Sequence, residues 1–182
     1  MKKTDARVRY TRKVLKESFL TLLKDNPVNK ITVKKVCESA HLNRATFYTH
    51  YSDCFDLLES IEQELLTAFQ KALSLLDSFD VTNLIEAIYV MIKQNEDACR
   101  ILIFQGASPS ILPRMIELAR NNSIAYWKEQ LHKASAAEVE MLYIHLSNGL
   151  MNVVVDGYDR YSKKEVITFV NRIVKGSLTM FK

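Results

Sequence analysis

The stretch from Ile31 to Leu58 reads ITVKKVCESAHLNRATFYTHYSDCFDLL. Thr32 is an N-cap residue, and behind it Val33, Val36, Cys37 and Ala40 fall at i, i+3, i+4 and i+7, one face of a short helix. His41-Leu42 leaves room only for a brief turn, and Asn43 caps a third helix expected from Arg44 to Tyr51. At about 100° per residue Phe47 and Tyr51 fall together and would face the first helix. Ala45, Tyr48 and Thr49 fall on the opposite side, with Arg44 and Thr46 flanking and His50 at the edge. Two short helices joined this tightly have the proportions of a helix-turn-helix. The free side suits DNA: small residues let the backbone approach base edges, an Arg can pair with guanine, and hydroxyls can meet phosphates.

Outward from this stretch the periodicity is helical nearly throughout. Upstream, Val8, Leu15, Phe19 and Leu22 share a stripe of a first helix, expected from Thr4 to Asp25 and stopped by Pro27. Downstream, Ser52 or Asp53 caps a long fourth helix carrying Phe55, Leu58, Ile61, Leu65, Phe69 and Leu76. Thr82 caps a fifth, to about Gln94. Glu96 to Gly106 reads as a sixth, ended by its glycine. Pro109 and Pro113 suit the first turn of a seventh, to about Leu131. Ser135 with Glu138, and Ser162 with Glu165, are capping boxes that open helices to about Gly157 and Phe181. The fold class is all-α, with about nine helices. Val153-Val154-Val155 is β-prone by itself, but its flanks are helical.

Composition agrees. The chain has 182 residues, 48% hydrophobic and 25% charged, with only 4 Gly and 3 Pro, which excludes a disordered tail and disfavours turn-rich β architectures. No apolar run is long enough to span a bilayer, so no membrane association is expected, and the basic start has no apolar segment behind it. A cytoplasmic protein is the expectation. Cys37, Cys54 and Cys99 make no C-x-x-C pair, the histidines lack metal-pair spacing, and the glycines never cluster, so neither metal nor cofactor is expected. No nucleophile sits in a recognisable elbow.

The net charge of +4 is unevenly divided: residues 1–50 carry 12 Lys+Arg against 4 Asp+Glu, net +8, and residues 51–182 carry 13 against 17, net −4. One end is built to meet a polyanion.

Over about residues 5–60 the chain resembles the TetR-type (TetR/AcrR) transcriptional regulators: an I-T-V opening, an A-x-L turn at Ala40-His41-Leu42, T-F-Y at Thr46-Phe47-Tyr48, an aromatic at Tyr51, then D-x-x-x-L-L. The resemblance implies that Lys34, Arg44, Ala45 and Thr46 face bases, and that Thr32, Tyr48, Thr49 and His50 hold phosphates. It divides the chain into a DNA-binding domain at 1–52 and a regulatory and dimerisation domain at 53–182. Its bundle would receive a small apolar or amphipathic effector, and the last helices, about residues 135–181, would form a homodimer on a palindromic operator.

Two positions depart from the pattern. His41 stands at a turn position usually held by Gly and needs a left-handed conformation or an altered turn. Cys54 stands where the family often has a Lys, so phosphate binding there would fall to the helix N-terminus and the basic leader (Lys2, Lys3, Arg7, Arg9, Arg12).

Among the later helices, Leu142, Leu146, Leu150 and Val153 form one stripe, and Val166, Phe169, Ile173 and Leu178 another. Tyr89, Met91, Phe104, Met115, Tyr126, Trp127, Tyr143 and His145 are the candidate lining of an effector pocket. The main functional expectation is a DNA-binding regulator, typically a repressor. A regulator governed by a protein partner, and an all-α enzyme or scaffolding bundle, are the alternatives.

Overall fold

A computed structural model describes residues 3–75 and 79–182, with side chains from residue 6 onward. Leu76, expected on the fourth helix, lies outside the described residues, as do Lys2 and the side chain of Lys3. The described residues form nine helical segments and no strand: α1 (Lys3–Leu23), α2 (Val33–Ala40), α3 (Arg44–Tyr48), α4 (Cys54–Leu73), α5 (Thr82–Gln94), α6 (Glu96–Ala98, running on as a π-helix through Cys99–Phe104), α7 (Ile111–Gln130), α8 (Ala136–Gly157) and α9 (Lys163–Thr179). A single 3₁₀ turn, Val28–Lys30, joins α1 to α2. No helix among the described residues is long and apolar enough to cross a membrane.

The chain divides into two compact units. The first runs through Leu65 and takes in Asp97–Ser108; the second comprises Leu66–Glu96 and Pro109–Lys182. In the first unit Leu15, Phe19, Val36, Phe47 and Leu57 are wholly buried, and α2 packs against α1 and α3 against α2. The Glu62 carboxylate is buried there and accepts a hydrogen bond from the Ser108 hydroxyl, which holds the returning segment against α4. In the second unit α7 pairs with α8, α8 with α9, and α5 with α9.

Several elements differ from the sequence expectation, each for a local reason. The inward face of α4 lies one residue off at its start: Cys54 and Leu57 are buried and Phe55 is 55% exposed, while Ile61, Leu65 and Phe69 face inward as expected. On α1 the inward residue near the end is Leu23, with Leu22 half-buried. Pro109 precedes α7, and only Pro113 lies in its first turn. The sixth helix widens into π geometry and ends at Phe104, two residues before the expected Gly106, whose φ of 71° is left-handed. On α8 only Leu146 of the expected stripe is buried, because Val139, Tyr143, Val154 and Gly157 form the inner face. On α9 Val170 and Val174 turn inward with Val166 and Leu178, leaving Phe169 50% and Ile173 42% exposed.

Both capping boxes form as expected, at Ser135/Glu138 and Ser162/Glu165. Thr82 is not a cap. It is the first residue of α5, and its amide donates to Asp80 Oδ1 at 2.9 Å. Asn171 of α9 completes that end: its Oδ1 accepts from the Val81 amide at 3.0 Å and its Nδ2 donates to Thr82 Oγ1 at 2.8 Å. Lys175 Nζ donates to Asp80 Oδ2 at 2.8 Å. The hydrogen bond and charge of Lys175, with the Thr82 donors, hold the Asp80 carboxyl far below the usual carboxylate range.

A carboxyl depressed in the folded state contributes stability above its unfolded pKa of about 4, and that contribution is lost as pH falls below it. Asp80→Asn, which keeps an acceptor for Thr82 but removes the charge facing Lys175, is expected to lower the melting temperature at pH 7. The deficit should shrink as pH falls below about 4. Thermal melts followed by circular dichroism at both pH values check this; an unchanged deficit would show that the charge is irrelevant.

Candidate nucleic-acid interface

The interface is assembled by local caps. Thr32 Oγ1 accepts from the Lys35 amide at 3.3 Å and starts α2. The chain leaves α2 through His41, which adopts φ 52° and ψ 40°, the left-handed conformation normally given to Gly. The Leu42 amide donates to the Cys37 carbonyl at 3.0 Å and closes a Schellman-type end. Asn43 then caps α3: its Oδ1 accepts from the Thr46 amide at 2.7 Å and from the Thr46 hydroxyl at 2.8 Å.

Helix α3 is shorter than expected. It ends at Tyr48, and His50 bonds back to Phe47 in the tighter i→i+3 manner while Tyr51 still reaches the Phe47 carbonyl. Phe47 is wholly buried and Tyr51 nearly so, with ring centroids 5.8 Å apart. That orientation leaves Arg44, Ala45, Tyr48 and Thr49 exposed, with Thr46 and His50 half-buried. Thr32 and Lys34 are exposed on the preceding segment. Of the eight residues expected at DNA, seven lie on α2, α3 and their caps, and His50 follows the last cap.

Their chemistry differs in detail. Lys34 Nζ lies 3.8 Å from Glu38 Oε1, an exposed i,i+4 pair that costs little to part. The Thr49 hydroxyl donates to the Thr46 carbonyl at 2.7 Å, so in this rotamer it offers lone pairs and no proton. Tyr48 is 58% exposed, and its ring stands edge-on to Phe47 at 5.7 Å.

The start of α4, where the sequence left a phosphate contact open, is capped by carboxylates. Asp53 Oδ1 accepts from the amides of Phe55 and Asp56 at 2.8 and 2.9 Å, and Asp56 Oδ2 accepts from the Ser52 amide at 2.8 Å. Those amides are occupied, and the charge that occupies them is negative. Cys54 itself is buried, and burial, with Asp53 and Cys37 nearby, pushes its thiol up to about 11. It contributes packing there.

In the second unit a cavity of about 70 Å³ opens among α4, α5, α7, α8 and α9, walled by residues such as Phe69, Leu84, Ile88, Ile116, Leu146 and Met151. Of the expected pocket residues it gathers Trp127 and Tyr143. The Tyr143 hydroxyl donates to the Ile116 carbonyl, and burial raises its pKa to about 12, so it remains a donor. Tyr126 packs beside Phe79, with centroids 5.2 Å apart. Tyr89 lies against Tyr158, and Met91 and Met115 are buried in the core. His145 is exposed on α8, and Phe104 belongs to the first unit. The aliphatic walls were missed because an aliphatic residue at helical spacing looks the same whether it fills a core or lines a cavity.

No family model matches this chain. One curated relative, the uncharacterised HTH-type transcriptional regulator YxbF of Bacillus subtilis strain 168, is 36% identical over 59 residues, which is 32% of this chain and 16% of that protein. Among solved structures, a transcriptional regulator of Pseudomonas aeruginosa PAO1 aligns with TM-score 0.62 at 16% identity, over 94% of this chain and 93% of its own. The fatty acid degradation regulator FadR of Bacillus halodurans aligns at 0.60 and 11%, over 91% and 95%. The dihydroxyacetone kinase operon activator DhaS aligns at 0.56 and 14%, over 94% and 98%. At these identities the likeness is one of fold alone: an all-helical chain with a helix-turn-helix near its start and a helical bundle after it.

A non-glycine residue in the left-handed region costs on the order of 1 kcal/mol. His41→Gly should relieve that strain, raising stability by a few tenths to about 1 kcal/mol after allowance for the freer unfolded chain. Chemical denaturation with an unchanged slope would show the gain; a loss of stability would mean that the His41 side chain makes contacts worth more than the strain.

Proposed function

We propose that this protein is a DNA-binding transcriptional regulator, a homodimeric repressor that reads a palindromic operator through α2 and α3. The observation that carries the reading is the exposed face of Arg44, Ala45, Tyr48 and Thr49, set by the burial of Phe47, in a segment with net charge +8 over its first fifty residues. Residues 1–52 form the DNA-reading part and 53–182 the regulatory part. Lys34, Arg44, Ala45 and Thr46 face bases; Thr32, Tyr48, Thr49 and His50 face phosphates. Such a protein needs no catalytic centre.

Duplication supplies what one helix-turn-helix lacks in phosphate contacts. The exposed apolar residues of α8 and α9, Met141, Ile144, Phe169 and Ile173, support an interface within residues 135–181. The cavity walled by Trp127, Tyr143 and aliphatic side chains supports an apolar effector. Its small volume, about 70 Å³, supports a second reading in which a protein partner governs the regulator and no small molecule binds. Melting temperatures across a panel of apolar metabolites separate the two: a shift with one of them favours the effector.

Duplex binding should weaken with salt at a log–log slope of roughly −5 or steeper, because each neutralised phosphate releases counterions. Against that background Arg44→Ala should cost about 1–3 kcal/mol and relax preference at one position per half-site. Tyr48→Phe should weaken all sequences alike, by on the order of 1 kcal/mol. Binding across a randomised operator library measures both. A flat salt titration removes the DNA-binding reading, and an unchanged preference for Arg44→Ala removes that residue's role.

Replacing Phe169 and Ile173 together by Glu should give a monomer by analytical ultracentrifugation and a loss of operator affinity, with far-ultraviolet dichroism retained. A dimer that survives the double change places the interface elsewhere.

A further inference from the structure

The proton of the Thr46 hydroxyl is already committed. Asn43 Oδ1 accepts from both the Thr46 amide, at 2.7 Å, and the Thr46 hydroxyl, at 2.8 Å. The amide N–H is an obligatory donor, so the Asn43 atom that faces it must be the oxygen, and that oxygen's second lone pair takes the hydroxyl proton. Thr46 then has only lone pairs, beside its methyl group, to present outward. Thr49 is polarised in the same sense, its proton directed into the Thr46 carbonyl at 2.7 Å. Helix α3 thus divides its chemistry: Arg44 and Tyr48 bring protons to the ligand, and the threonines bring acceptors. An unrestrained threonine hydroxyl would rotate to suit either partner. Here the cap removes that freedom.

We infer that Asn43 is a positioning residue for base selection, which makes Thr46 an obligate hydrogen-bond acceptor and so selects, at one position of each half-site, a base whose major-groove edge carries an exocyclic amine. Adenine N6 and cytosine N4 are the two amines that the groove offers; guanine and thymine present acceptors or a methyl group there. The inference rests on the proposed DNA-binding function and deepens it, since it assigns one position of the operator a chemical class and names the side chain outside the interface face that sets it. A cap alone would affect helix stability and overall affinity. A cap that orients a neighbouring hydroxyl also affects which base is chosen.

The test is selection from a randomised duplex library by the full-length protein and three variants, read as base preference at each position. The wild type should favour adenine or cytosine over guanine and thymine about three- to tenfold at one position, the size of a single neutral hydrogen bond. Thr46→Val, nearly isosteric and still able to fill its half-buried place, should abolish the preference there and nowhere else. Asn43→Gly keeps a tolerated N-cap but frees the hydroxyl proton, so guanine and thymine should rise to parity at that same position. Asn43→Asp keeps the acceptor and should keep the preference, although its added charge lowers affinity for every sequence. If Thr46→Val leaves each base preference as in the wild type, or if Asn43→Gly changes affinity with no change in preference, the inference is overturned while the DNA-binding reading stands. If the wild type shows no salt-dependent binding to any duplex, the DNA-binding reading falls and this one with it.

Discussion

A helix of five residues cannot support itself. Nucleation fixes several dihedral angles for each early hydrogen bond, and isolated helices shorter than about 12–15 residues are marginal in water. Helix α3 exists because Phe47 is wholly buried and Asn43 caps its first turn. Burying one such aromatic contributes roughly 1.5–3 kcal/mol, which is comparable to what the short helix lacks. The same burial sets orientation. With Phe47 inward, the helical repeat places Arg44, Ala45, Tyr48 and Thr49 outward, and the edge-on contact of Tyr48 with Phe47 at 5.7 Å steers its ring. The side chain that never reaches solvent therefore decides which side chains can reach a ligand.

Charge at the interface is distributed by what the caps consume. At α3 the capping group is a neutral amide, and the positive helix end remains unneutralised there. At α4 it is the Asp53 carboxylate, joined by Asp56, so the nearby backbone dipole is already answered by negative charge. Cys54 is buried beside them and brings no cation to this end. The exposed cations near this end lie on α1, α2 and α3, at Arg12, Lys13, Lys34, Lys35 and Arg44. In the proposed DNA complex, phosphate attraction would therefore come from the first three helices and not from the fourth.

The all-helical class, the order of the helices and most caps were legible in the sequence because caps are local. Thr32, Asn43, Ser135 and Ser162 each need only the amide three residues on, and each makes that bond. Faces were less legible because they depend on what lies opposite. Phe55 and Leu58 keep helical spacing with Ile61 and Leu65, yet the register that buries Cys54 and Leu57 wins, and a large aromatic is left outside. On α9 two interleaved stripes, Val166-Val170-Val174 and Phe169-Ile173, are both apolar, and periodicity cannot rank them. The Asp80 cluster was invisible for a different reason: beside the local Thr82 amide, its partners Asn171 and Lys175 lie some ninety residues away, beyond any local pattern. The π-helical stretch after α6 has no sequence signature in period or capping residue.

The cavity of the second unit shows what an apolar site requires from its few polar groups. Tyr143 spends its proton on the Ile116 carbonyl, and the Ser147 hydroxyl donates to the Tyr143 carbonyl at 2.6 Å, so these wall groups are satisfied within the protein. A ligand that brings only acceptors finds no free proton on these groups, whereas a donor can still meet the lone pairs that both hydroxyls keep. An apolar one disturbs none of them and gains roughly 25 cal/mol for each Å² it removes from water. At about 70 Å³ the space admits only a few heavy atoms as it stands, so anything larger must move the side chains that wall it. Met151 is the most adaptable of these, being unbranched with three rotatable bonds. For an effector of the proposed kind, the committed hydroxyl protons would disfavour acceptor-rich ligands, while the aliphatic walls, which can repack, would set only a loose limit on size.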